Sequence, residues 1–223
     1  MHYRKNRWYD FLNIGFRIPI VGACDFPYTR ELGSEITYAW SEKTITPRTF
    51  AKKLAEGKSF ATSGPMLFLD VDSKKPGEIF NFPEGTDTTI NVQINVESPM
   101  YPIRYVELIK DGQVIERMQF TDLKESCQLN AKLKITNSCW VAARTYAEAG
   151  TDAHTNPIYI YVGNNLPFNH DSARQIMGRL DGSIEAIPNK DVTERLEFLK
   201  AELTKVLKGK KSQLPLPEIF KAD

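Results

Sequence analysis

Residues 88–98 read TTINVQINVES, and this stretch decides the architecture. Ile90, Val92, Ile94 and Val96 fall on one side of an extended chain and Thr89, Asn91, Gln93 and Asn95 on the other, because successive strand side chains point to opposite faces. A strand with one apolar and one polar face belongs to an antiparallel sheet packed on one side and wetted on the other.

Working outward, the period of two persists from Gly64 to Gly163. PMLFLDVD (65–72), IRYVELIKDGQVIERMQF (103–120), CQLNAKLKI (127–135), SCWVAARTY (138–146) and NPIYIYV (156–162) bring the total to six or seven short strands, spaced as in a two-sheet sandwich. Asp111-Gly112, between VELIK and QVIERM, is the strongest hairpin signal, since a type I′ turn demands positive φ and Asp-Gly accommodates it. Trp140 reads as sandwich core. Tyr159 and Tyr161 alternate with Ile158, Ile160 and Val162, so the tyrosines share one face, open to a sugar, another domain or solvent.

The flanks differ. In residues 1–15, Trp8, Phe11, Leu12 and Gly15 recur at helical spacing, and IPIVGACD (18–25) then reads as a short buried strand emptying into a turn at Asp25. ITYAW (36–40) is a second short strand. Thr46 followed by Pro47 supplies an N-cap and a first-turn proline for a helix of about ten residues ending at Gly57. Beyond Gly163 the spacing predicts a helix from about Asp171 or Ser172. A longer helix follows, capped by Asp191, with Val192, Leu196, Leu199, Leu203 and Val206 on one stripe. The last dozen residues read as a frayed tail. The expected fold class is α+β, with an incomplete α/β segment over 1–62, an antiparallel Ig-like β-sandwich over 63–164 and a helical extension over 165–223.

Composition narrows the function classes. The 223 residues are 41% hydrophobic and 26% charged, as in globular proteins and unlike disordered chains. Lys plus Arg (29) nearly equals Asp plus Glu (28), so no overall field draws in nucleic acid. No apolar run approaches the roughly 18 to 20 residues of a membrane span, and the first residues lack the apolar region of a signal peptide. The expected partners therefore exclude nucleic acid and membrane, and the compartment is left open. Cys24, Cys127 and Cys139 show no CxxC spacing. They read as buried thiols, with a Cys127–Cys139 bridge as the alternative.

Three histidines, His2, His154 and His170, form no HxH or HExxH pair, and no P-loop, GxGxxG or GxSxG is present. Asp25 stands out because it closes the apolar run VGACD, and strand ends are where α/β enzymes hold ligands and metals. The plain alternative is an Asp that caps its own loop. His154, just ahead of the last strand, and Arg144, on CWVAAR, are candidate cleft contacts. The plain alternatives are a loop imidazole bonded to backbone and a salt-bridged strand arginine.

FLNIGFRIPIVGACD (11–25), ITYAW (36–40), LAEGKSFATSGPMLFLDV (54–71) and CWVAARTYAEAGTDAHTNPIYIYV (139–162) occur in an order that resembles the C-terminal portion of the CehA/McbA-like metallohydrolases of the PHP superfamily, over Trp8 to Val162. The resemblance implies that residues 1–62 are part of a PHP-barrel-like α/β unit. It also implies a divalent metal (zinc, manganese or iron) in the parent family, and a metal-activated water that attacks an ester or phosphoester. Asp25 matches the family's last-strand aspartate ligand. The family's early HxH pair would lie upstream of residue 1, and Pro27 stands where a histidine often follows the aspartate. One carboxylate binds a divalent ion weakly, so the chain alone is expected to be inactive and to hold no metal by itself. The leading expectation is the C-terminal part of a metal-dependent hydrolase, completed by an upstream catalytic domain or prone to self-association. The rival is a non-catalytic β-sandwich module that binds carbohydrate or protein.

Overall fold

The computed structural model describes residues 2–28, 31–42, 44–163, 165–187 and 189–208, with residues 2–6 as helical backbone alone. The tail over the last dozen residues lies outside the described residues. The described residues form four α-helices: α1 (His2–Leu12), α2 (Pro47–Ala55), α3 (His170–Ala186) and α4 (Lys190–Leu207). The strands are β1 (Ile36–Ala39), β2 (Ser59–Thr62), β3 (Met66–Val71), β4 (Ile79–Phe82), β5 (Thr88–Glu97), β6 (Ile103–Lys110), β7 (Gln113–Gln119), β8 (Ser126–Ile135), β9 (Cys139–Ala147), β10 (Asp152–Thr155) and β11 (Ile158–Val162).

β3, β5 and β8 form a three-stranded antiparallel sheet, and the other eight strands form a larger one. At the centre of the larger sheet, β9 pairs with β6 along one edge and with β10 and β11 along the other. β1 and β2 extend the sheet beyond β10, so it is continuous across residue 62. The expectation of a wholly antiparallel sandwich is corrected at one pair: β11 runs parallel to β4, which the long return between them allows.

The core follows the alternation. Ile90, Val92, Ile94 and Val96 of β5 face Val106 and Leu108 of β6, Val141 and Ala143 of β9, and Ile158 and Ile160 of β11 between the sheets. Asp111-Gly112 turns β6 into β7 with both residues at positive φ, as the hairpin signal required. Trp140 departs from expectation. It is fully buried but lies on the opposite face of β9 from Val141, beneath α1, where it joins Tyr9, Leu12, Ile109, Ala142 and Tyr159. Strand parity places Trp140 there, in a second core between helix and sheet. The same parity carries Tyr159 and Tyr161 to that face, where helix α1 covers Tyr159 and the guanidinium of Arg17 sits 5.0 Å from its ring.

Two motifs gain physical roles. Thr46 caps α2 in a capping box with Thr49, with Pro47 at its start, and Gly57 ends the helical segment at φ +71°. A Cβ on Gly57 would stand 3.5 Å from the Gly77 α-carbon, and a Cβ on Gly77 would meet Glu56 O at 2.2 Å and the Gly57 carbonyl carbon at 2.9 Å, so the chain passes this closely because residue 77 is glycine. In FATSGP, Phe60 enters the core while the Thr62 hydroxyl donates to Pro65 O at 2.6 Å and accepts from Gly64 N at 2.9 Å, holding the turn into the sandwich.

The helices α3 and α4 pack on each other and on Ile14, with Ile176, Leu180, Leu196, Leu199 and Leu203 between them. The first begins at His170, close to the expected Asp171, and is capped by Asn169; the second is capped by Asn189 rather than Asp191. Each asparagine side chain accepts from an amide three residues on, and Asp171 and Asp191 lie in the first turns. The segment 18–25 is also corrected. It is extended and half-exposed, with no strand partner among the described residues. All three cysteines are free, so no Cys127–Cys139 bridge exists, and both thiols pack against the sandwich core.

Candidate functional site

On the helix-covered face of the large sheet, strand register sets polar residues side by side. Arg117 of β7 opposes Glu107 of β6, Glu107 opposes Arg144 of β9, and Arg144 opposes His154 of β10. The row continues through Ala61 of β2 to Thr37 of β1. Glu107 has no solvent exposure and accepts from both arginines: Arg144 Nε donates to Oε2 at 2.7 Å and Arg117 Nε to Oε1 at 2.7 Å. A buried carboxylate with two guanidinium partners has its charge compensated, which its burial requires. Arg144 is thus a strand arginine held in an ion pair. Burial works against its charge, but Tyr9, Glu107 and Tyr146 around it outweigh that and raise its pKa.

His154 is a strand residue, 2% exposed, and not a loop residue. Its Nδ1 lies 2.7 Å from the carbonyl oxygen of Thr155, which can only accept, so Nδ1 carries the proton. Its Nε2 therefore accepts from the Tyr9 hydroxyl at 2.5 Å. Trp8 packs edge-on to the imidazole at 5.3 Å between ring centroids. Both ring nitrogens are engaged within the protein, so the imidazole as it stands offers no lone pair to a metal or to a substrate proton. Burial pushes the Tyr9 phenol above its ordinary range, and pushes Tyr146, on the neighbouring row, up to about 12.

This row ends at a cleft of about 330 Å³ between the segment 20–23 and the sheet. Trp8, Val21 and Ala61 give it apolar walls, and Glu35, Asp152 and His154 polar ones. The segment lies close on the sheet because residue 22 is glycine: a Cβ there would stand 2.9 Å from Ile36 O and 3.2 Å from the Ala61 Cβ. Side chains replace the missing strand partner. Asn156 Oδ1 accepts from Ile20 N at 2.7 Å and Asn156 Nδ2 donates to Ile20 O at 3.1 Å, while the Thr37 hydroxyl accepts from Gly22 N at 2.7 Å and donates to Gly22 O at 3.1 Å.

Asp25 lies beyond this anchored stretch. It is exposed, at φ +54°, and opens a turn in which Tyr28 N donates to Asp25 O at 2.9 Å. It does not line the cleft that His154 borders. The structure therefore brings Arg144 and His154 together and leaves Asp25 apart. Among the described residues no group of three or more His, Cys, Asp or Glu side chains is placed to hold a metal, so the donor set on these residues does not fit a complete metal centre. His170 is exposed at the start of α3, and the side chain of His2 lies outside the described residues. Sequence reasoning missed Tyr9, Glu107 and Asn156. Glu107 was visible as the one charge inside the apolar run YVELI, which is the signal that could have found it.

No helix among the described residues is long and apolar enough to cross a membrane. No protein-family model matches the chain, and no curated protein matches it. Among solved structures, the fibronectin(III)-like modules of Clostridium thermocellum CbhA are similar at 13% identity over 44% of this chain and 100% of theirs, with a TM-score of 0.29. The sulfur carrier protein SoxY from Chlorobium limicola f thiosulfatophilum is similar at 8% identity over 42% of this chain and 77% of its own, with a TM-score of 0.29. A CARDB domain from Pyrococcus furiosus is similar at 10% identity over 44% of this chain and 96% of its own, with a TM-score of 0.28.

Proposed function

We propose that the chain is a non-catalytic β-sandwich module that binds a protein domain through its N-terminal arm, residues 18–36. The observation that carries this is where apolar surface collects. Nine of the eighteen large hydrophobic side chains that stand exposed among the described residues fall between Ile18 and Ile45. Val21, Phe26, Tyr28 and Leu32 are 55–86% exposed; Val21 lies on the extended stretch that side chains clasp to the sheet at Ile20 and Gly22, and Phe26, Tyr28 and Leu32 lie in the turns beyond it. Apolar side chains exposed in such number along one stretch of chain mark an interaction site.

The experiment is size-exclusion chromatography with light scattering, together with the fluorescence of a hydrophobic dye, on the wild type and on Phe26→Asp/Leu32→Asp. The wild type is expected to associate with rising concentration and to bind the dye. The variant should be monomeric and dark with its melting temperature unchanged, because both side chains contact mainly solvent. A wild type that is monomeric throughout and binds no dye removes the basis for the reading.

A second reading follows from the resemblance to CehA/McbA-like metallohydrolases and is favoured by one observation: Asp25 is presented to solvent within the arm, just past its clasped stretch. In that reading the domain that covers the arm is the metal-bearing part of a PHP-type hydrolase of esters or phosphoesters. Asp25 gives it one donor, and the other donors come from outside the described residues. Bound-metal analysis of the protein and of Asp25→Ala, with an ester and phosphoester screen, separates the readings. Stoichiometric metal lost in the variant supports the hydrolase, and an absence of both metal and turnover leaves the binding module.

A further inference from the structure

Among the described residues, no helix covers the outer face of the small sheet. Its side chains stand in cross-strand rows fixed by register: Phe68, Asn95 and Gln128 in one, Asp70, Gln93 and Asn130 in the next. Asn91 and Lys132 begin a third, where Asn91 Nδ2 donates to Asp72 Oδ1 at 2.9 Å. Five of these side chains are amides. Gln128 Nε2 donates to Asn130 Oδ1 at 3.0 Å, so part of the array is already oriented.

At the Phe68 end this face meets the edge strand β1, and the residues there are aromatic. Tyr38 stacks on Phe60 at 5.4 Å, and Phe60 lies edge-on to Phe68 at 6.0 Å. Trp40 is 51% exposed, with Lys75 Nζ 5.8 Å from its ring. The aromatic end encloses a groove of about 230 Å³, which opens into a trough of about 510 Å³ over the amides; Asp70 and Gln93 line both. From Phe68 to Asp72 the floor runs four residues along a strand, roughly 13 Å.

We propose that this groove binds a neutral oligosaccharide, with one ring stacked on Trp40 and Tyr38 and the following rings hydrogen-bonded to the amides of Gln93, Asn95 and Asn130. The match is chemical. A pyranose has an apolar face of axial C–H bonds, which suits an aromatic ring, and a rim of hydroxyls that each donate and accept. An amide also donates and accepts, and so pairs with a hydroxyl in either sense. An apolar side chain would satisfy the aromatic end but strip water from amides it could not bond. A charged polymer meets no net charge, because Asp70 is already paired with Lys75 at 2.5 Å and the other charged residues lining the trough, Asp72 and Lys132, are of opposite sign. The groove is open at its polar end, which suits a chain longer than one ring.

The test is calorimetric titration and Trp fluorescence of the intact protein with cellohexaose, xylohexaose, mannohexaose and β-1,3-linked glucohexaose, with oligogalacturonate as the acidic comparator. At least one neutral hexasaccharide is expected to bind at a single site. Trp40→Ala should weaken it roughly tenfold, the scale of one good aromatic contact, and Gln93→Ala several-fold. Neither change should move the melting temperature, since both side chains are exposed. The proposal is overturned if none of the four binds at millimolar concentration, if Trp40→Ala binds as well as the wild type, or if oligogalacturonate binds more tightly than every neutral sugar.

Discussion

The hydroxyl of Tyr9, on α1, lies 2.5 Å from Nε2 of His154, on β10, across 145 residues of sequence. This contact ties the helix to the sheet, beside a second buried tie in which the Trp140 indole N–H donates to Asn13 Oδ1 at 2.8 Å. Around it Tyr9, Leu12, Trp140 and Tyr159 pack as hydrocarbon and aromatic surface.

Tyr9→Phe removes the donor and leaves a buried imidazole nitrogen without it. The expected loss is about 1–3 kcal/mol in urea unfolding, the cost of an unsatisfied buried acceptor. Tyr9→Ala adds a cavity beside Trp140 and should cost about 3–5 kcal/mol. Hydrogen exchange should show α1 opening first in Tyr9→Phe, with the strands β5 and β8 protected as before. Uniform loss of protection would mean that the helix is not separately anchored.

Glu107 gives an asymmetric test of the charged row. Glu107→Gln leaves Arg117 and Arg144 facing a neutral amide, and removing one partner of a buried pair costs about 3–5 kcal/mol. Arg117→Ala removes an arm that is 48% exposed on its side chain, and solvent screening should hold the loss below about 1 kcal/mol. Arg144→Ala, with 13% side-chain exposure, should fall near the Glu107 value. Equal losses from the two arginines would show that solvent reaches the row evenly.

The same burial predicts a weakness at high pH. Desolvation raises the thiol of Cys127 to about 11 and that of Cys139 to about 12, from an ordinary value of 9.0, and the phenol of Tyr146 to about 12 from 10.0. Tyr9 and Tyr159 are raised by the same cause. Each group holds its proton more tightly folded than unfolded. Its contribution is therefore complete below the unfolded pKa and is lost as pH rises through the folded one. Melting temperature should be flat up to about pH 9 and fall steadily from there to pH 12. Absorbance at 295 nm should show several of the nine tyrosines titrating only with unfolding.

Much of the sandwich could be read in the sequence, because alternation is a local property. TTINVQINVES and the Asp111-Gly112 hairpin contain their own registers. The arm could not be read in the same way. IPIVGACD has strand composition, but a strand exists only with a neighbour to pair with, and here Asn156 and Thr37 side chains take the neighbour's place. The side of the sheet on which Trp140 falls depends on the parity of β9 and on α1 returning over it, which no window of sequence contains. The row Arg117–Glu107–Arg144–His154 comes from four strands up to 47 residues apart in sequence, so its members could be noticed singly but not together.

Asn156 offers the sharpest test of the arm. The side chain is fully buried and accepts from Ile20 N while its amide donates to Ile20 O, Ser59 O and Ser59 Oγ. Asn156→Ala leaves these groups without their partner at the point where the arm leaves the sheet. The expected loss is about 1–3 kcal/mol, set by the unmet backbone groups. More telling is its location. Amide exchange at Ile20 and Gly22 should rise well before that of the sandwich, and limited proteolysis should cut between residues 18 and 28. Thr37→Val, which removes only the Gly22 clasp, should loosen Gly22 and leave Ile20 protected. If both variants free the whole arm together, the two clasps act as one unit, and the arm is a lid hinged at Gly15 instead of a strap pinned at two points.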